Sequence, residues 1–457
     1  MHVIKQPNLE IIRRIGSNTF EGKSRRLLKY VAVVPIRNGI ILYNTMTRSV
    51  VVMREDEYEN ILTGDGIDYI EFLKRNYFIV EEDFDDFNTL ETVRKSFEIP
   101  LDDNYLKEGE LLEYTMLSTT DCNANCFYCY EKGRSRIPMS METADKVADF
   151  IIRTANRQRK IKLRWFGGEP LFNIKVIDHI SKKVTEAGID YDCGIISNGY
   201  FFNEKIVEKA VNVWKLKHIQ ITLDGTEDVY NSIKNYNHCT GSAYKKVLDN
   251  IKLLLDAHVS VSIRMNCDLH NSENLKELIK ELHDRFKNHQ LFNVYVYPLF
   301  DEKEERTKEH NELLFQKIEE IENVLDQYGY LDGRPISDNI RFCHCMIDNG
   351  KSVLICPEGD IGLCEHFSED HFFSHIDNFE EKNWEVVKQF KELLEPLEIC
   401  KTCIHAPDCV RANMCDELRK CNELTKAVRE RETVRTALFA FKKWQDNRMK
   451  QYKCSCN

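Results

Sequence analysis

Cys122-Asn-Ala-Asn-Cys126-Phe-Tyr-Cys129 gathers three thiols within eight residues, directly after the strand-like run EYTMLSTT, residues 113–120. Three close thiolates on one loop can hold three irons of a [4Fe-4S] cube, leaving the fourth iron open to a substrate. A structural zinc ion asks for a fourth Cys or His close by. None follows Cys129 within a dozen residues. The loop therefore reads as an open iron–sulfur site.

Outward from this loop the chain alternates strands with helices. KIKLRWF (160–166), DCGIISNG (192–199), KHIQITLDG (217–225), VSVSIRMNC (259–267) and NVYVYPLF (293–300) are strand-like. METADKVADFIIRTANRQ, EKIVEKAVNVW, AYKKVLDNIKLLLDAH and NLKELIKELHDRF lie among them with helical spacing. Repeated βα units imply a parallel sheet, closed or nearly closed into a barrel, with active-site loops after the strand ends.

The cysteine loop, with Tyr128 before its last Cys, resembles the CX3CX2C signature of the radical S-adenosylmethionine (SAM) superfamily. The resemblance covers roughly residues 112–300 and implies a partial (β/α) barrel. It also implies that the open iron binds SAM, which one electron cleaves to a 5′-deoxyadenosyl radical. Gly167-Gly168-Glu169-Pro170 resembles the family's GGEP motif, which holds the SAM amino group. The glycines permit close backbone approach, and Glu169 offers an acceptor to an ammonium. Ser197-Asn198-Gly199 resembles the ribose-binding segment, and Arg264 stands where a family arginine pairs with the SAM carboxylate. Asp224-Gly225 matches a strand-end motif of this subgroup, making Asp224 a catalytic candidate. As alternatives, the GGEP and SNG segments are turns, Arg264 is an ordinary ion pair, and Asp224 is a cap.

The chain has 457 residues and 17 cysteines, none before Cys122. That length suggests two or three domains. Its formal charge of −11 argues against nucleic-acid binding. No apolar run is long enough to span a bilayer, and the N-terminus lacks a signal-peptide core. A cytoplasmic protein, without membrane association, is the expectation. There thiols stay reduced, so the cysteines read as ligands.

Nine cysteines lie between Cys343 and Cys421. Two fully ligated cubanes need about eight. The pattern Cys345-X13-Gly359-X4-Cys364, then Cys400-X2-Cys403-X5-Cys409, resembles the SPASM domain of peptide and protein maturases, which usually carries two auxiliary [4Fe-4S] clusters. The resemblance implies that Cys400, Cys403, Cys409 and Cys421 bind one cluster. Cys364, Cys415 and two of Cys343, Cys345 and Cys356 would bind the other. Five residues separate Cys409 from Cys415 where the family usually has three, leaving open which cysteines serve and whether one site is open. Two zinc sites are the rival, since CX2C is also a zinc half-site. Cys193, Cys239 and Cys267 read as buried thiols. The tail from Glu423 to Lys450 reads as a charged helix ending in an unplaced KCSCN.

Residues 1–105 contain YVAVVPI and GIILYNT, joined by an Asn38-Gly39 turn, then SVVVMRE as a third strand. Helical segments and YFIVEED follow. This small α+β unit resembles the winged-helix leader-recognition domain of peptide maturases, which grips a peptide as an added strand. YVAVVPI and SVVVMRE are the expected edges. The expected division is 1–105 for peptide recognition and linker, 106–330 for the barrel, and 331–457 for the SPASM domain with its C-terminal helix.

Together the resemblances imply a maturase that abstracts hydrogen from a ribosomally made precursor peptide bearing a leader, and installs a crosslink or related change. A flavodoxin or ferredoxin would supply the electron. The alternative enzyme is an anaerobic sulfatase-maturating enzyme, which makes formylglycine. That family places an Asp base where this chain has Glu365, after Cys364. A third reading, of another class, is an iron–sulfur electron carrier or scaffold.

Overall fold

A computed structural model describes the chain except residues 21–23, 64–68, 98–100, 103, 130–134, 238, 300–306, 331–335, 337–345, 366–371, 393–395, 410–420, 422 and 456–457. Cys343, Cys345, Cys415 and Cys456 lie outside the described residues.

The contacts divide the chain into two units, each assembled from separate segments. Residues 99–331 and 349–391 form one, and residues 1–98, 332–348 and 392–457 form the other. This differs from a sequential three-way partition because the cysteine-rich region is shared between two cores.

The barrel unit is built on a nine-stranded sheet ordered β12-β11-β10-β9-β8-β7-β13-β14-β15. Its parallel strands are β7 (Glu113–Thr119), β8 (Ile161–Gly167), β9 (Tyr191–Ser197), β10 (Leu216–Thr222), β11 (Ser260–Cys267), β12 (Phe292–Pro298) and β13 (Ser352–Ile355). β14 (Asp360–Gly362) and β15 (Phe372–His375) add antiparallel. Among the described residues β12 pairs only with β11, so the sheet is an open, partial barrel.

Helices cover one sheet face. In Met141–Thr154, Ser140 caps the first turn by accepting from Thr143 N at 3.0 Å. Ala144, Val147, Ala148 and Ile151 recur at helical spacing and are buried. In β9, Tyr191, Cys193, Ile195 and Ser197 are buried while the alternate residues are half-buried, as a pleated strand requires. The half-buried face carries polar groups: Glu113 and Arg164 pair at 2.7 Å, and Tyr295 donates to Gln220 at 2.7 Å.

In the other unit, β1 (His2–Lys5), β3 (Val31–Ile36), β4 (Gly39–Asn44) and β5 (Ser49–Met53) form a sheet ordered β1-β5-β4-β3. β2 (Arg25–Leu27) pairs separately with β6 (Ile79–Glu81). The Asn38-Gly39 turn forms, with Ile36 opposite Gly39. A Cβ on Gly39 would meet Met53 O at 2.2 Å. One expectation fails: β5 is not an edge, because β1 occupies its far side. The short HVIK segment pairs across a register shift and gives no turn signal of its own.

Both faces of this sheet are apolar, and both are covered. Val31, Ile40, Leu42, Val51 and Met53 face a core with Leu73, Phe78 and Leu90. Ala32, Val34, Ile41, Tyr43, Val50 and Val52 face Val434, Ala437, Phe441 and Trp444 of helix Glu423–Ser455. The C-terminal helix is thus more than a charged face. Its apolar residues are diluted among charges, which hid the stripe. Cys454 falls inside this helix. Among the described residues no helix is long and apolar enough to cross a membrane.

Candidate functional site

The cysteine loop leaves the end of β7 and is tied to the segment after helix Glu227–Lys234. Asn125 N donates to Lys234 O at 2.9 Å, Asn237 N to Asn123 O at 2.8 Å, and Asn125 Nδ2 to Asn237 Oδ1 at 2.7 Å. Cys122, Cys126 and Cys129 are half-buried, and Cys122 lies within electrostatic reach of the other two thiols. Burial, then the nearby Glu169 carboxylate, pushes the Cys122 thiol up to about 12. A coordinating cation reverses that preference, because a metal-bound thiol is deprotonated outright.

The GGEP segment crosses directly behind this loop. Gly168 N donates to Thr119 O at 3.1 Å and Glu169 N to Asp121 O at 2.9 Å. A Cβ on Gly168 would stand 2.2 Å from Asp121 O, so only glycine fits the approach. Glu169 is fully buried. It accepts from Ser197 Oγ at 2.8 Å, Asn198 N at 2.8 Å and Leu171 N at 3.1 Å. Burial raises its carboxyl to about 7 against these donors. Glu169 thereby ties the end of β8 to the end of β9. Pro170 opens a short turn, and its carbonyl accepts from Ser118 Oγ at 2.9 Å.

Asn198 Nδ2 donates to Asn123 Oδ1 at 2.8 Å. Asn123 is 7% exposed, and its own Nδ2 is buried without a hydrogen-bond partner among the described residues. Such an orphan donor at the cysteine loop suits a ligand acceptor. Three thiols, a glycine-only backbone approach and this donor fit a loop-bound [4Fe-4S] cluster with SAM. Among the described residues no three Cys, His, Asp or Glu groups converge as a single ion demands. A cubane asks only that each thiolate reach its own iron.

Asp224 is also fully buried. It accepts from the Tyr128 hydroxyl and from Asn266 N, the latter at 3.0 Å, and pairs with Lys234 Nζ at 3.1 Å. Lys234 Nζ also donates to the Tyr128 oxygen at 3.0 Å. Burial alone would lower the Lys234 ammonium, yet Asp224 holds it well above its ordinary value. The Cys126 thiol is within electrostatic reach of the ammonium. Asp224 and Tyr128 therefore brace the cysteine loop against Lys234. Lys234 escaped sequence reasoning because a lysine ending a helix reads as an ordinary dipole complement. Lys234→Met should destabilise the chain by about 3 kcal/mol, since it strands a buried carboxylate. Adding Asp224→Asn should recover most of that loss in denaturant titrations. Equal instability of the double variant would refute the pairing.

Arg264, half-buried, donates from Nε to Asn266 Oδ1 at 2.9 Å and lies 4.5 Å over the Tyr297 ring. Glu365 follows β14. Burial raises its carboxyl, opposed by Arg164 and assisted by Glu113, with Arg264 a weaker opposing influence. The structure thus brings Glu365 toward the polar sheet face.

In the other unit, Cys400, Cys403, Cys409 and Cys421 line one cavity together with His405 and Arg429. Cys356 and Cys364 flank the β13–β14 hairpin in the barrel unit. Ile355 lies opposite Ile361, which puts Cys356 at the turn end of the β13–β14 hairpin and Cys364 past its other end. Cys193 and Cys267 are buried thiols as expected, whereas Cys239 is half-buried and accepts from Tyr200 OH at 3.7 Å.

Residues 116–284 match the family model described as the Radical SAM superfamily. These residues therefore form a radical SAM domain. The chain is 28% identical over 267 residues to an uncharacterized protein of Methanocaldococcus jannaschii, covering 55% of this chain and 85% of that one. It is 30% identical to a GTP 3′,8-cyclase of Clostridium acetobutylicum, over 33% of this chain and 45% of the relative. It is also 30% identical to the radical SAM cyclopropyl synthase TigE of Paramaledivibacter caminithermalis, over 29% of this chain and 34% of the relative. The chain thus spans less than half the length of these last two relatives. The solved structure "Native anSMEcpe with bound AdoMet" shares the fold, with a TM-score of 0.52 at 16% identity over 73% of this chain and 98% of that one.

Proposed function

We propose that this chain is a maturase that modifies a ribosomally made precursor peptide by hydrogen abstraction. Cys122, Cys126 and Cys129 would hold the radical cluster, with SAM over the loop between GGEP, Ser197-Asn198 and Arg264. Bound there, SAM supplies a 5′-deoxyadenosyl radical that takes a hydrogen atom from the substrate. A flavodoxin or ferredoxin would deliver the electron. Cys400, Cys403, Cys409 and Cys421 would hold one auxiliary [4Fe-4S] cluster of a SPASM-like region, and the remaining C-terminal cysteines a second. Residues 1–98 would be the winged-helix-like recognition domain that grips the leader.

The observation that carries the peptide reading is the edge of β3. Among the described residues β3 has one strand partner, β4. Pro35 lies in β3 opposite Ile40. A proline is tolerated in a strand where its missing N–H would face away from the ladder. Val31 and Val33 share its parity, and Val31 N indeed turns to Leu28 O instead of β4. Val33 N–H therefore faces the open edge, where an added strand would accept it. Val33→Pro should leave the β3–β4 ladder intact and weaken binding of a fluorescent precursor peptide at least tenfold. The peptide would come from a short reading frame beside this gene, with GTP as the competing-substrate control. Unchanged peptide affinity, or turnover of GTP, would contradict the reading.

A second reading, formylglycine formation, is favoured by Glu365, which follows Cys364 and lies near Arg164 and Arg264. There Glu365 would take the proton of the substrate Cys or Ser.

A further inference from the structure

The turn between Cys403 and Cys409 is held by residues 312 to 360 positions away. Arg94, 7% exposed, donates to the carbonyls of Ala406 and Cys409, the latter at 3.1 Å. Arg48, 3% exposed, makes a two-point pair with Asp408, one arm at 2.9 Å. Thr45 donates to Ile404 O at 2.7 Å. Helix Glu423–Ser455 holds the same turn: Glu430 accepts from Ile404 N at 3.2 Å, and Thr433 Oγ1 meets His405 Nδ1 at 2.9 Å. Cys403 and Ala406 are themselves part of the core beneath the N-terminal sheet.

Buried guanidiniums are poor stabilisers by themselves, because desolvation offsets what the pair returns. Two of them on one short turn call for another reason. Arg48 also stands at φ 66°, a left-handed conformation that non-glycine residues rarely adopt. A cubane with four thiolates carries net negative charge, which nearby buried cations offset. Tyr30 adds an independent sign. It is fully buried, and its hydroxyl has no hydrogen-bond partner among the described residues. Its electrostatic neighbours, strongest first, are Asp86, Glu91, Arg94 and the Cys400 thiol. A cluster thiolate is the acceptor this hydroxyl lacks.

We propose that the N-terminal domain forms part of the auxiliary iron–sulfur site, with Arg48 and Arg94 positioning the cysteine turn and Tyr30 donating to the Cys400 thiolate. This rests on the reading that Cys400, Cys403, Cys409 and Cys421 hold a cluster. The experiment uses the full chain with Cys122, Cys126 and Cys129 changed to alanine, reconstituted with iron and sulfide, and titrated redox-wise by EPR. If Cys400→Ala in this background removes no iron, the cluster reading itself falls. If it does remove iron, Tyr30→Phe should keep full iron but move one midpoint potential to a more negative value, since hydrogen bonds to the sulfurs help set it. Arg94→Met should lose about four iron per chain, and Arg94→Lys should recover only part, because an ammonium lacks the planar fork. An unchanged potential in loaded Tyr30→Phe overturns the role of Tyr30. Full iron in Arg94→Met overturns the clamp.

Discussion

Changing Cys122, Cys126 and Cys129 to alanine should abolish 5′-deoxyadenosine formation, a loss of more than a thousandfold, while removing about four of about 12 iron per chain. The three thiols share one loop, and no described side chain nearby substitutes for them. The loop's backbone ties to Lys234 and Asn237 do not involve the sulfurs, so the variant should still fold. Iron analysis and chromatography of the SAM products check both parts. Retained SAM cleavage would sink the assignment of the radical cluster. A preparation with about four iron and stoichiometric zinc would show that the C-terminal cysteines bind zinc instead.

Deleting residues 1–98 should remove two things together: peptide processing, by at least tenfold, and about four auxiliary iron. The second loss is the less obvious one. Cys403 and Ala406 are buried in the N-terminal core, and Arg94 and Arg48 hold the turn between Cys403 and Cys409. The deletion strips that turn of its support. Residues 1–98 contribute no strand to the nine-stranded sheet, so uncoupled SAM cleavage should persist. Iron content, SAM cleavage and peptide turnover on the same preparation separate these effects. A truncated chain that kept all its iron would refute the shared core.

The barrel was legible because its signals are local. Strand and helix periods alternate between residues 113 and 300, and the cysteine spacing marks one strand end. The GGEP and SNG segments were legible as motifs, yet their side chains were not. Glu169 and Asp224 stand out in sequence as motif residues, but their buried hydrogen-bond partners 28 and 42 residues away do not. Lys234 carries no local mark, since its meaning depends on Asp224 and Tyr128 meeting it in space. The sharing of the cysteine-rich region between two cores could not be read locally either. β13 joins β7 in a parallel pair, whereas the turn around Cys403 belongs to the N-terminal core. Such long-range pairings leave no periodicity in a single sequence.

The most direct test of the central claim is isotope transfer. The reduced, iron-loaded chain would be incubated with SAM and a precursor peptide deuterated in its core residues, and the 5′-deoxyadenosine analysed by mass spectrometry. A peptide maturase moves one deuterium from peptide to 5′-deoxyadenosine and leaves a matching mass change in the peptide. 5′-Deoxyadenosine free of deuterium, beside an unaltered peptide, would contradict it.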